Sequence, residues 1–157
     1  MSNGPVSVQS ATPRAIAAVR ARVRAGAVGS VFKEFLDQVY AAARSGAIDL
    51  DGQNVFVYRS VVDKPEAIDV EFGVGVRAPF ADVGLVTYSQ LPVGEVATVT
   101  HWGDYRGVGD AHNAVTTWCR VHGRKPAGVR WEVYGHWNED PAKLRTDVFY
   151  LLDPGSS

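Results

Sequence analysis

Alternating apolar and polar residues mark strands along most of this chain, and apolar residues at three- and four-residue spacing mark two helices. Val6-Ser-Val-Gln9 is a short β-branched run punctuated by Pro13. Ala15-Ile-Ala-Ala-Val-Arg-Ala-Arg-Val23 reads as a strand with polar positions at period two near its end. Gly26 and Gly29 break that pattern. From about Val28 to Arg44, Val31, Phe32, Phe35, Val39 and Ala42 share one helical face, with Ser30 as the cap and Gly46 as the stop. Asn54–Ser60 and Ile68–Val76 are the next strands, joined by an Asp63-Lys-Pro-Glu66 turn. Leu85–Leu91 and Glu95–Trp102 follow, separated by Pro92 and Gly94. A second helix runs from about Gly107 to His122 on a stripe of Val108, Ala111, Val115, Trp118 and Cys119, and Gly123 closes it. Val129–Gly135 and Leu144–Leu152 complete the strands, and the Pro154–Ser157 tail is expected to fray.

The order strand–strand–helix–strand–strand is thus written twice. Ala15-Ile-Ala-Ala-Val19 corresponds to Glu95-Val-Ala-Thr-Val99, Val55-Phe-Val-Tyr58 to Trp131-Glu-Val-Tyr134, and Asp69-Val-Glu-Phe72 to Arg145-Thr-Asp-Val148. One half alone, with one helix on a small sheet, cannot bury both faces. The expected fold is therefore a single α+β domain over residues 1–157, with repeat one at about 6–80 and repeat two at about 85–153. Two pseudo-twofold-related halves would form one antiparallel sheet with both helices on one face and a concave ligand groove on the other.

Composition agrees with one sheet-rich core. The chain has 157 residues, 46% of them apolar, with valine abundant and a formal net charge of −1. No electrostatic footprint for nucleic acid or a membrane surface is visible. The basic residues between Arg14 and Arg24 alternate with apolar ones, as on the solvated face of a strand. Cys119 is the only cysteine, which excludes an internal disulfide and argues against a cysteine zinc site; within a helical stripe it reads as a small buried apolar residue. No leader pattern or membrane-length apolar run is present, so a cytoplasmic location is expected.

Among residues that carry chemistry, Glu132 stands first. Strand alternation puts Glu132 and Tyr134 on one face and Trp131 and Val133 on the other, and the repeat sets Phe56 and Tyr58 at the matching positions. An acid among Phe56, Tyr58 and Tyr134 could hold an aromatic cation by charge and ring-face contact, or serve as a general acid or base with Tyr134 orienting the substrate. Periodicity alone reads Glu132 equally well as an exposed group on an edge strand. Trp102 ends a strand and fits either the core or the rim of a pocket. His101 reads as a histidine bonded to a nearby backbone group, Tyr105 as packing under the turn before the second helix, and Trp118 as core. His136 and Trp137, after the flexible Gly135, fit a lid or a plain loop anchor. Glu71 and Asp147 match across the repeat and read as solvent-facing or sheet-edge groups. His112 and His122 flank helical positions expected to face water. No metal-ligand spacing, dinucleotide fingerprint or nucleophile elbow is present, and no cofactor is implied.

The second half carries the most specific text. Val96-Ala-Thr-Val-Thr-His-Trp-Gly-Asp-Tyr105, the helix with Trp118, His122-Gly123, Pro126-Ala-Gly128, Glu132-Val-Tyr134, Asp140-Pro141 and Thr146-Asp147 follow in an order that resembles the GyrI-like domain. The first half fits that family's degenerate first repeat. Two departures are the ending Tyr150-Leu-Leu-Asp153 and the more aromatic Gly135-His-Trp-Asn138. The resemblance implies a ligand-sensing domain of the kind found in multidrug-responsive regulators, a gyrase-inhibitor-like protein, or a hydrolase opening the cyclopropane of DNA-alkylating natural products. It favours the pocket reading of Glu132 and places Trp102 at the pocket rim.

With no helix-turn-helix pattern legible, the leading expectation is a stand-alone binder of a planar, drug-like or natural-product aromatic, cationic or neutral, without direct nucleic-acid or membrane contact. Phe56, Tyr58, Trp102, Glu132, Tyr134, His136 and Trp137 would line its site. The alternatives are a hydrolase in which Glu132 acts on water with Tyr134, and a protein-interaction inhibitor module. Exposed outer strands permit a homodimer.

Overall fold

The computed structural model describes residues 2–60 and 66–154. Most of the Asp63–Glu66 turn and the end of the expected fraying tail lie outside the described residues. Among the described residues nine strands and two helices follow one another as β1 (Ser2–Asn3), β2 (Ser7–Ala11), β3 (Ala15–Arg24), α1 (Val28–Ala43), β4 (Leu50–Ser60), β5 (Ala67–Val76), β6 (Thr87–Gln90), β7 (Gly94–Trp102), α2 (Val108–Val121), β8 (Pro126–Tyr134) and β9 (Arg145–Leu152). A short 3-10 turn, Tyr105–Gly107, leads into α2, and another, Pro141–Lys143, precedes β9. The class is α+β, with antiparallel strands throughout.

The chain divides into two compact units, Pro13–Leu91 and Met1–Thr12 with Pro92–Ser157. These are not the two halves of the sequence. β2 pairs with β7 and β6 pairs with β3, so each unit takes its edge strand from beyond the end of the sequence repeat that builds the rest of it.

In the Pro13–Leu91 unit the strand order is β6-β3-β5-β4. One face of β5 presents Val70, Phe72 and Val74 to α1. Phe72 is fully buried; it stacks on Phe35 at a centroid distance of 4.9 Å and meets the edge of Phe56 at 5.3 Å. The helix buries Leu36, Val39 and Ala42, while Phe32 stays more than a third exposed and tilts against Phe56. Ser30 does not cap α1: the cap is Ala27, whose carbonyl accepts the Ser30 hydroxyl at 2.8 Å. Gly46, at φ +86°, supplies the left-handed turn that ends the helical segment.

The opposite face of the same sheet carries the arginines of β3. Arg22 pairs with Asp69, and Arg20 and Arg59 converge on Glu71 at 3.0 and 3.3 Å. Glu71 is 3% exposed and also accepts from Ser89 Oγ at 2.8 Å. The expectation of a solvent-facing or edge group is corrected here. β5 lies inside the sheet, and the buried carboxylate is paired there with guanidiniums that themselves reach water.

In the other unit β7-β9-β8 run side by side, with β1 and β2 on the outer side of β7. Its core is Ala97 and Val99 from β7, Val148, Tyr150 and Leu152 from β9, and Val108, Ala111, Val115 and Cys119 from α2. Trp118 is only partly buried and stacks on His122 at 4.3 Å. Burial raises the Cys119 thiol pKa, consistent with an apolar packing role. The registers of the two units correspond. Val19 and Phe56 both face Phe72 in one, and Val99 and Glu132 both face Val148 in the other.

Candidate functional site

Register assigns each side chain of the second unit to a face. Val148 and Tyr150 belong to the core under α2, and Glu132 lies directly opposite Val148, with Tyr134 opposite Thr146. Glu132 and Tyr134 therefore occupy the face that carries α2, not the opposite face where the groove was expected. Glu132 is 6% exposed. Its Oε2 accepts from His112 Nε2 at 2.6 Å, and its Oε1 accepts from the Tyr134 hydroxyl. His112 Nδ1 lies 2.7 Å from the Tyr150 hydroxyl. The result is a hydrogen-bonded line across three elements: Tyr150 on β9, His112 on α2, then Glu132 and Tyr134 on β8.

His112 was expected to face water, and the structure corrects this. It stands four residues after Val108 and three before Val115, inside the buried stripe, and its neighbours Glu132 and Tyr150 give the imidazole polar partners there. Tyr150 was not among the expected site residues either. Its run Val148-Phe-Tyr-Leu-Leu152 is apolar or aromatic at every position, so alternation could not tell which face it used.

The line opens toward solvent at one end. The Tyr134 ring, half-buried, meets Tyr105 edge to face at 5.6 Å, and Tyr105 is 40% exposed on the 3-10 turn before α2. Beside them the Thr146 hydroxyl is buried with no hydrogen-bond partner among the described residues. His101, also on this face, places Nε2 3.0 Å from the Asp104 carbonyl and Nδ1 2.6 Å from Asn3 Oδ1, which fits a structural clasp on the turn.

Burial raises the Tyr150 phenol to about 12, a rise to which Glu132 adds and which Arg130 opposes. A pKa above its unfolded value of about 10 means that the folded state holds this proton more tightly. The stabilisation is complete below about pH 10 and is lost as pH rises toward 12. The unfolding free energy is expected to fall through that window by up to about 1.4 kcal/mol per pH unit. Urea melts at successive alkaline pH values check this, and Tyr150→Phe should flatten the slope.

The remaining expected residues lie elsewhere. Trp102 pairs with Arg145, which puts it on the face away from α2; Arg145 sits over its ring at 5.5 Å. Trp102 and Glu132 thus point to opposite sides of one sheet and cannot grip the same small ligand. On that far face Thr100 and Arg145 bond Asp147 at 2.6 and 3.1 Å, beside a shallow polar pocket of about 130 Å³. Asp147 is accordingly partly shielded rather than free in solvent. His136 is exposed and Trp137 is 71% exposed, in the loop that leaves β8 at the Tyr134 end. Phe56 and Tyr58 are buried on the α1 face of the other unit. Among the described residues no cluster of histidine, cysteine or carboxylate side chains could hold a metal ion, and no helix is long and apolar enough to cross a membrane.

The GyrI-like small molecule binding domain matches residues 5–152, and the chain belongs to that family. Among solved structures, the EcmrR C-terminal domain aligns with a TM-score of 0.75 at 18% identity, over 94% of this chain and 96% of that one. EcmrR in its cryo-EM complex with DNA aligns with a TM-score of 0.78 at 16% identity, over 96% of this chain but 57% of that one. The structure of SAV2435 bound to tetraphenylphosphonium aligns with a TM-score of 0.70 at 10% identity, over 96% and 95%. At these identities the likeness is one of fold. No curated protein matches the chain in sequence.

Proposed function

We propose that this domain binds a lipophilic aromatic cation, with Glu132 as the charged anchor and the Tyr105 and Tyr134 rings as the apolar wall. The observation that carries the reading is the placement of Glu132: the residue is 6% exposed, and the Tyr134 hydroxyl that its carboxylate accepts from belongs to the ring that meets the exposed Tyr105. A buried carboxylate beside such an entrance gives an arriving cation a strong interaction in a dry setting. Aromatic faces at the entrance add cation–π and area terms. Membership in a small-molecule-binding family and the tetraphenylphosphonium held by SAV2435 support the same ligand class.

A second reading is hydrolysis, favoured by the buried Glu132 carboxylate, which could take a proton from a water while the neighbouring Tyr134 hydroxyl orients a substrate. One experiment separates the two. The protein is titrated with planar and propeller-shaped aromatic cations while tryptophan fluorescence is followed, and each compound is recovered for mass analysis, with Glu132→Gln in parallel. Saturable quenching that weakens in the variant, with every compound intact, is the expected result. A compound recovered with the mass of one added water, from the wild type alone, would establish the hydrolase instead. Quenching equal in both proteins would overturn the role of Glu132.

A further inference from the structure

We propose that the polar pocket on the face of the second unit away from α2 is a separate binding site, built for a free α-amino acid held by both of its charges. The inference does not depend on the reading of Glu132, because the pocket lies on the other side of the sheet.

Strand register builds the pocket. Across the β7–β9 ladder Trp102 faces Arg145, Thr100 faces Asp147 and Thr98 faces Phe149. Ser7 on β2 pairs with Thr98 and closes that side. Phe149 is braced by Trp131 of β8, whose ring stacks on it at 5.5 Å. The space enclosed, about 130 Å³, admits the main chain of an amino acid. Its side chain would lie outward over Trp102, which is 40% exposed beside the Arg145 guanidinium. That neighbour favours an apolar or aromatic side chain.

The lining carries one charge of each sign, Arg145 and Asp147, and they already touch. Arg145 Nε donates to Asp147 Oδ1 at 3.1 Å, and the Thr100 hydroxyl donates to the same oxygen at 2.6 Å. Among the described residues Asp147 Oδ2 and both Arg145 Nη groups make no hydrogen bond. Nor does the Thr98 hydroxyl, although Thr98 is only 7% exposed. A simple anion drawn to Arg145 meets the repulsion of Asp147, and a simple cation drawn to Asp147 meets that of Arg145. A zwitterion satisfies both. Its carboxylate accepts from the Nη groups, its ammonium donates to Oδ2, and the Thr98 hydroxyl bonds either end. In an α-amino acid one carbon separates the two charges, which suits a guanidinium and a carboxylate placed side by side.

The test is calorimetric titration of the wild type with L-phenylalanine, L-leucine and L-alanine near neutral pH. Saturable binding of at least one of them is expected. The amide of that amino acid lacks the carboxylate and its N-acetyl derivative lacks the ammonium, so each should bind at least about tenfold more weakly. Asp147→Asn and Arg145→Gln should each weaken the parent amino acid by about tenfold, and Thr98→Val by about threefold. Derivatives that bind as tightly as the parent would overturn the proposal, and so would D-glucose binding in preference to it. Binding by none of the three amino acids would overturn it too, and would leave the Glu132 reading standing. A readout independent of any variant is NMR of the wild type. The bound amino acid should shift the Trp102 indole N–H and the Thr98 amide and leave the Tyr105 and Tyr134 rings unmoved. Shifts centred on Tyr105 and Tyr134 would place the amino acid in the Glu132 site and contradict a separate one.

Discussion

Replacing Glu132 by glutamine is expected to weaken tetraphenylphosphonium binding at least about 30-fold, corresponding to about 2 kcal/mol lost with a desolvated charge pair. The variant keeps the size of the side chain and one acceptor oxygen for the Tyr134 hydroxyl. The new amide N–H can donate to His112 Nε2 if the proton moves to Nδ1, where the Tyr150 oxygen accepts it. The fold should therefore survive, and the loss will report on charge rather than on collapse. Neutral aromatic ligands of similar size should lose less than about threefold. Calorimetry on matched cationic and neutral compounds checks both numbers, with urea melts confirming stability. Equal losses for the two ligand types would mean that Glu132 shapes the wall without anchoring a charge.

Truncating Phe72 to alanine is the largest stability change expected in the molecule, about 3–5 kcal/mol. Phe72 is fully buried in the middle of β5, stacked on Phe35 from α1 and edged by Phe56 from β4. Its loss leaves a cavity bordered by two rings whose positions depend on it. The neighbouring backbone cannot close the gap easily. A Cβ at Gly73 would already come within 2.9 Å of Ile16 Cδ1 and 3.1 Å of the Ala17 carbonyl, so the strands there are at contact distance. Equilibrium urea unfolding measures the effect; a loss below about 1 kcal/mol would show that the ring cluster is loosely packed.

Much of the fold was legible because local periodicity and burial agree. The strands with clean alternation, such as Glu95–Trp102, appear within a residue of their expected limits, as β7 does at Gly94–Trp102. The stripe of α2 was equally clear, since Val108, Ala111, Val115 and Cys119 are all buried. The α1 stripe was less so: Phe32, expected on the apolar face, is more than a third exposed against Phe56, while Leu36, outside the expected stripe, is buried.

The site was harder to read because it depends on pairings between distant strands. Alternation placed Trp102 with Thr98 and Thr100, and Glu132 with Tyr134, each correctly along its own strand. Whether those two sets share a face is decided by their common partner β9, where Trp102 meets Arg145 and Glu132 meets Val148. Nothing within either strand carries that information. His112 had a local signal, its heptad-like spacing from Val108 and Val115, but its polarity made it read as solvated. The crossing of β2 and β6 between the sequence repeats is likewise a property of long-range pairing.

The most direct test of the account is to locate a bound cation on the wild-type protein by intermolecular NOEs from the phenyl protons of tetraphenylphosphonium. Contacts to the rings of Tyr105 and Tyr134, together with perturbation of His112, are the expected result. Contacts to Trp102, Thr98 and Phe149 on the far face of the sheet would contradict it and move the site to the polar pocket there.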